Sequence, residues 1–105
     1  MIHHLVLFKT SAAVDDERLE WMMRETRIQL LKIPEVLSVK CGKQVDPKSD
    51  WSFFLSVDVE SMEKLAVYRD DPIHVKFLEE VIRPFTIERL ALDFEMDPAR
   101  DVTYS

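Results

Sequence analysis

The sequence predicts an α+β fold with the element order β-α-β-β-α-β, a four-stranded antiparallel sheet carrying its helices on one face. Three observations point there. Apolar residues alternate with period two in four separate stretches, at Ile2–Lys9, Glu35–Lys43, Trp51–Glu60 and Phe85–Met96. Between the first two stretches, Leu19, Met22, Met23, Thr26 and Leu30 recur at helical spacing. Pro34, Pro72 and Pro84 stand where helical patterns stop.

In chain order, "IHHLVLFK" is short and rich in strand formers and reads as the first strand. Asp15, Asp16 and Glu17 suit a helix N-terminus, and the helix they open runs to about Lys32, ended by Pro34. "EVLSVKCGK" is the second strand, "QVDPKSD" a turn around Pro47, and "WSFFLSVDVE" the third strand. Ser61 is a capping residue for a helix that begins "MEKLAVY". Pro72 breaks that helix, and "IHVKFLEEVI" continues as a second segment up to Pro84. "FTIERLALDFEM" is the last strand. The expected division is one domain over residues 1–96 and a polar C-terminal tail over 97–105.

Composition narrows the function classes. The chain has 105 residues, 47% of them hydrophobic, enough for one domain with a real core. Its net charge of −6 and lack of a basic stripe argue against nucleic acid. One glycine, Gly42, excludes both a Walker loop and a dinucleotide fingerprint. No Cys/His spacing suits a metal, and His3 and His4, adjacent on a strand, point to opposite faces. No apolar run reaches transmembrane length, and "MIHHLVLFKT" is charged too soon for a signal peptide. A single cysteine, Cys41, allows no internal disulfide and favours a reducing compartment, so the expected location is cytoplasmic. The expectation is a protein without cofactor or metal.

Strand parity assigns the faces. Ile2, His4, Val6 and Phe8 share one side of the first strand. Joined to Leu37, Val39 and Cys41, to the row from Trp51 to Val59, and to Leu90, Leu92, Phe94 and Met96, they make the more apolar face, which the helices should cover. The other face then carries His3, Leu5, Leu7, Phe54 and Ala91 among Ser52, Ser56, Asp58, Arg89 and Asp93. Left open to water, Leu5, Leu7 and Phe54 form an apolar patch. A second copy, sheet against sheet in a two-fold homodimer, would cover it.

The stretch "AVYRDDPIHVKF" bears on chemistry. Tyr68 and His74 are six residues apart, about 600° on an unbroken helix and so on different faces. Pro72 removes a helical hydrogen bond and makes Asp71 extended. The kink lets Tyr68 close one helix while His74 opens the next, and parity puts His4 on the sheet beneath them. A pocket between sheet and helices bordered by His74, Tyr68 and His4 is the candidate site. A neutral His can remove a proton alpha to a carbonyl, a Tyr hydroxyl can donate to the oxyanion that forms, and a second His can orient the first. For each residue the plainer alternative is packing: a buried Tyr ring or a hydrogen-bonded core His is the commoner finding.

"HHLVLFK", "IPEVLSVKCGKQV" and "YRDDPIHVKFLEEVIRPF", in that order and spacing, resemble the stress-responsive dimeric A/B-barrel (Dabb) domain family over about Met1–Phe94. The resemblance implies a ferredoxin-like protomer whose sheet pairs with that of a second copy into a dimeric α/β barrel. Most members have no assigned activity. A few plant members resemble polyketide cyclases that close a poly-β-keto chain by aldol chemistry, and their pocket Tyr and two His correspond to Tyr68, His74 and His4. The residue before the proline, often His in the family, is Asp71 here. Three functions follow as expectations: a homodimer binding a small apolar or aromatic metabolite; a cofactor-free enzyme of the cyclase or monooxygenase kind, using Tyr/His acid-base chemistry; or a structural stress protein acting through stable assembly.

Overall fold

The computed structural model describes residues 1–100. Its elements are β1 (Ile2–Thr10), α1 (Asp16–Leu30), β2 (Ser38–Lys43), β3 (Phe53–Val59), α2 (Met62–Asp70), α3 (Pro72–Phe77) and β4 (Thr86–Glu95). A π-helical turn, Leu78–Ile82, and a 3-10 turn, Arg83–Phe85, join α3 to β4. The strands form one antiparallel sheet in the order β2-β3-β1-β4. Each helical connection therefore skips one strand, as the split βαβ arrangement requires. The predicted order of elements is the observed one.

Local chemistry explains the boundaries. Asp15 caps α1 by accepting from the Arg18 amide at 2.8 Å, and Asp16 and Glu17 follow where the helix dipole favours acid. Ser61 caps α2 through the Lys64 amide at 3.2 Å. Asp71 is extended, with φ −61° and ψ 131°, because the proline after it disfavours the helical region. Its carboxylate then caps α3 through the Ile73 amide at 2.8 Å. The acid that replaces the resembled family's histidine is a helix cap.

One layer of helix lies against one face of the sheet. Leu19, Met22, Met23 and Leu30 of α1, Leu65 and Tyr68 of α2, and Phe77 of α3 are buried against Val6, Phe8, Phe53, Leu55, Val57 and Val59. Each fully buried side chain of this size is worth about 1.5–3 kcal/mol of transfer free energy. The Thr26 hydroxyl, wholly buried, donates to the Met22 carbonyl at 2.7 Å and so leaves no unpaired donor in the core.

The last strand departs from expectation. Ala91 pairs with Val6, Leu90 with Leu7, Leu92 with Leu5 and Phe94 with His3. Cross-strand partners share a face, so Arg89, Ala91 and Asp93 stand on the helix side, and Leu90, Leu92 and Phe94 on the open side. The parity expected for β4 was thus inverted. Sequence parity puts the apolar row beneath the helices, but β4 is an edge strand that contributes no buried residue. Leu37 also fails to join the core: it precedes β2 and is exposed. Trp51 lies outside β3 and is half-buried.

The correction enlarges the open apolar face. Leu5, Leu7 and Phe54 are half-buried there, and Leu90, Leu92 and Phe94 are 40%, 37% and 50% exposed. The sole glycine belongs to this face. A Cβ on Gly42 would stand 2.8 Å from Cε1 of the Phe54 ring, which lies across it. Of the expected tail, Pro98–Arg100 forms a 3-10 turn with an Arg100–Asp97 ion pair at 3.2 Å; residues 101–105 lie outside the described residues.

Candidate functional site

The break at Pro72 brings Tyr68 and His74 together. Their ring centroids are 4.4 Å apart. His4, from β1, meets Tyr68 edge-on with centroids 6.1 Å apart. All three border one cavity of about 340 Å³ between sheet and helices, within the range of small-molecule sites. Val6, Phe8 and Leu55 form its floor, and Phe77 and Leu78 one wall. Arg69, Arg89 and Ala91 complete the lining. Arg89 and Ala91 carry the lining out to the edge strand β4.

Hydrogen bonds orient both imidazoles. His4 Nδ1 bonds Asp93 Oδ1 at 2.5 Å, and Arg69 donates to Asp93 Oδ2 at 3.4 Å. A carboxylate accepts, so the His4 ring carries a hydrogen on Nδ1. His74 Nδ1 lies 3.0 Å from the Arg69 carbonyl, which puts a hydrogen there by the same logic. Two histidines thus border one cavity, each ring anchored through Nδ1. This resembles the way a buried Asp holds the histidine of a hydrolytic triad.

Burial sets the ionisation of the other groups. It pushes His74 below its ordinary value, and the nearby His4 pushes the same way, against the Arg69 carbonyl, which pulls upward. His74 is therefore neutral at pH 7. Burial pushes Tyr68 well above the ordinary phenol value, with only slight opposition from Arg69. Its hydroxyl stays protonated and can donate.

Asp93, Arg69 and Arg89 are the participants that sequence reasoning missed. Strand parity alone puts Asp93 and Arg89 on the open face, and the pairing of β4 with β1 puts them on the helix side. Adjacent His3 provides a contrast on the open face: its Nδ1 bonds Asp58 Oδ1 at 2.6 Å, and the Ser38 hydroxyl donates to Asp58 Oδ2 at 2.6 Å. Burial would raise the Asp58 carboxyl, but the Ser38 and His3 bonds outweigh it and hold it low. Cys41 is half-buried, and burial raises its thiol, which makes it a poor nucleophile. Among the described residues, no three of His, Cys, Asp and Glu converge as metal ligands, and no helix is long and apolar enough to cross a membrane.

Comparison with known proteins supplies the family. The model of the stress-responsive A/B barrel domain (Dabb) matches residues 2–96. The chain belongs to this family. A curated Dabb relative, a stress-response A/B barrel domain-containing protein of Arabidopsis thaliana, is 27% identical over 99 residues, covering 92% of this chain. The match spans only 37% of that relative's length. Among solved structures, a dimeric ferredoxin-like protein of unknown function from Thermobifida fusca superposes with a TM-score of 0.80 at 23% identity, over 90% of each chain. A hydroxynitrile lyase from Passiflora edulis superposes with a TM-score of 0.79 at 13% identity, over 92% of this chain and 94% of the other. At such identities these structures establish the ferredoxin-like fold of this Dabb domain and nothing finer.

Proposed function

We propose that this Dabb protein is a homodimer that binds a small apolar or aromatic metabolite in the cavity between its sheet and helices. One observation carries the reading. A cavity of about 340 Å³ has apolar walls and three convergent polar side chains, His4, Tyr68 and His74, the usual make-up of a ligand site. A filled core would bring Tyr68 and the two imidazoles together without leaving such a volume. The dimer is supported by the open face bearing Leu5, Leu7, Phe54, Leu90, Leu92 and Phe94, and by the relative from Thermobifida fusca described as dimeric. An interface of standard size buries about 1,600 Å² in total.

The test is calorimetric titration with 2-naphthol, a phenol small enough for the cavity. Saturable binding to the wild type, weakened up to about tenfold in Tyr68→Phe by loss of one hydrogen bond, is the expected result. Absence of saturable binding, or equal binding by the two proteins, counts against the site.

A second reading, acid-base catalysis without a cofactor, is favoured by the anchoring of both rings through Nδ1. With both Nδ1 atoms engaged, His74 Nε2 is a neutral base and Tyr68 a donor for the oxygen that gains charge. This pairing suits removal of a proton alpha to a carbonyl. The lyase among the fold neighbours is compatible with it. Exchange of the methyl protons of acetophenone in D2O, followed by NMR, should accelerate with the wild type and fall to background with His74→Ala. No acceleration by the wild type removes this reading and leaves binding alone.

A further inference from the structure

We infer that the ligand carries a carboxylate, received at the β4 edge of the cavity by Arg89 together with Arg69. The inference rests on the cavity being a ligand site, as proposed above. Its starting point is a reversal of charge. The chain as a whole has 20 acidic and 14 Lys or Arg residues. Yet two arginines line the cavity, and the acid at its margin, Asp93, is already engaged by His4 and Arg69.

The two guanidiniums come from unrelated elements. Arg69 lies in the last turn of α2 and Arg89 on β4. Arg69 has a partner, Asp93, at 3.4 Å, but that pair is half-exposed and long, the kind that contributes little. Arg89 takes part in no ion pair among the described residues. Its cross-strand neighbour is Phe8, and the next residue on its side of the strand is Ala91. A cation beside an apolar floor, rather than facing an acid, is where a ligand's own negative charge would fit.

The chemistry of the fork narrows the class. A guanidinium receives a carboxylate through two parallel N–H···O bonds, which a lysine cannot do. The apolar floor and walls would take an aromatic or aliphatic body, leaving its acid beside Arg89. The inferred ligand is therefore an aromatic or aliphatic carboxylic acid. A small polar anion leaves Val6, Phe8, Leu55, Phe77 and Leu78 without a partner.

Matched probes test this. 2-Naphthoic acid and 2-naphthamide differ chiefly in charge and can be titrated calorimetrically at pH 7.5 and low salt. The wild type should bind the acid roughly ten- to a hundredfold more tightly, the range for a hydrogen bond to a charged group. Arg89→Gln should remove most of that preference while still binding the amide. Arg83→Gln, which removes the same charge outside the cavity, should retain it. Equal affinity of the wild type for both probes, or a preference that survives in Arg89→Gln, overturns the carboxylate inference and leaves the ligand site standing. Tighter binding of 2-naphthyl phosphate than of the acid overturns it in favour of a phosphate. If the wild type binds neither the acid, the amide nor 2-naphthol, the ligand site itself fails, and the inference with it.

Discussion

His3 and His4 are adjacent in sequence and lead to different ends of the molecule's behaviour. Each bonds a carboxylate of a neighbouring strand through Nδ1, His3 to Asp58 of β3 and His4 to Asp93 of β4. The period of a strand sends them to opposite faces. His4 lies beneath the helices beside Tyr68 and a cavity. His3 lies on the open face, with Phe94 as its cross-strand partner. The same local chemistry orients a ring beside a cavity on one face and supplies a polar element within an apolar surface on the other. A histidine–aspartate pair therefore acquires meaning from what covers it.

Substitutions on the two faces should separate these roles. The largest effect belongs to the covered face. Tyr68 is 1% exposed, and Tyr68→Ala should cost about 3–5 kcal/mol by denaturant unfolding, the range for deleting a core aromatic. A loss under about 1 kcal/mol would mean the ring is not part of the core. Next comes the open face. Leu92→Glu should weaken the proposed dimer by about 2–4 kcal/mol, the range for a central interface anchor, while the far-ultraviolet circular dichroism stays that of a folded chain. Sedimentation at micromolar concentration checks it, and an unchanged dimer would place the interface elsewhere.

A smaller effect sharpens the contrast between the two pairs. Asp93→Ala strands the His4 Nδ1 donor at a position only 7% exposed and should cost about 1–3 kcal/mol. The His4 ring resonances should shift with it, while those of His3 stay in place. Movement of His3 instead would show that the faces are coupled through β1.

The smallest effect is in pH. His74 is held below its ordinary value of 6.5 by burial first and by His4 second. The unfolded chain therefore binds the proton more readily, so stability falls as pH drops below about 6.5 and levels off beneath the folded-state value. At Asp58 burial is outweighed by bonds to the charged form, so its contribution is lost only at lower pH, below about 3.8. Thermal unfolding from pH 7.5 to 5 should thus show a slope that His74→Ala removes. A slope retained in that variant would assign it to another group.

Much of this was legible in the sequence, and the failure has a definable cause. The acidic start of α1, the cap at Ser61, the buried face of α1 and the convergence of Tyr68, His74 and His4 all follow from local rules: acids at a helix N-terminus, a side-chain oxygen three residues before an amide, a 3.6-residue period, a proline that resets direction. The inverted face of β4 does not, because local alternation tells only that Leu90, Leu92 and Phe94 share a side. The usual assumption that the more apolar side faces the helices fails for an edge strand that no helix covers. Arg89 and Asp93 were lost to the candidate site for the same reason. Only the pairing with β1, a long-range property, fixes their side.

The central claim is that the cavity is a site rather than an imperfection of packing, and His74→Ala measured two ways tests it most directly. His74 is partly exposed at the cavity. Its loss should lower the melting temperature by no more than about 4 °C, corresponding to roughly 1 kcal/mol for a domain of this size, while binding of 2-naphthol weakens by about tenfold. Unfolding many degrees earlier with 2-naphthol binding unchanged would make His74 a packing residue and contradict the account.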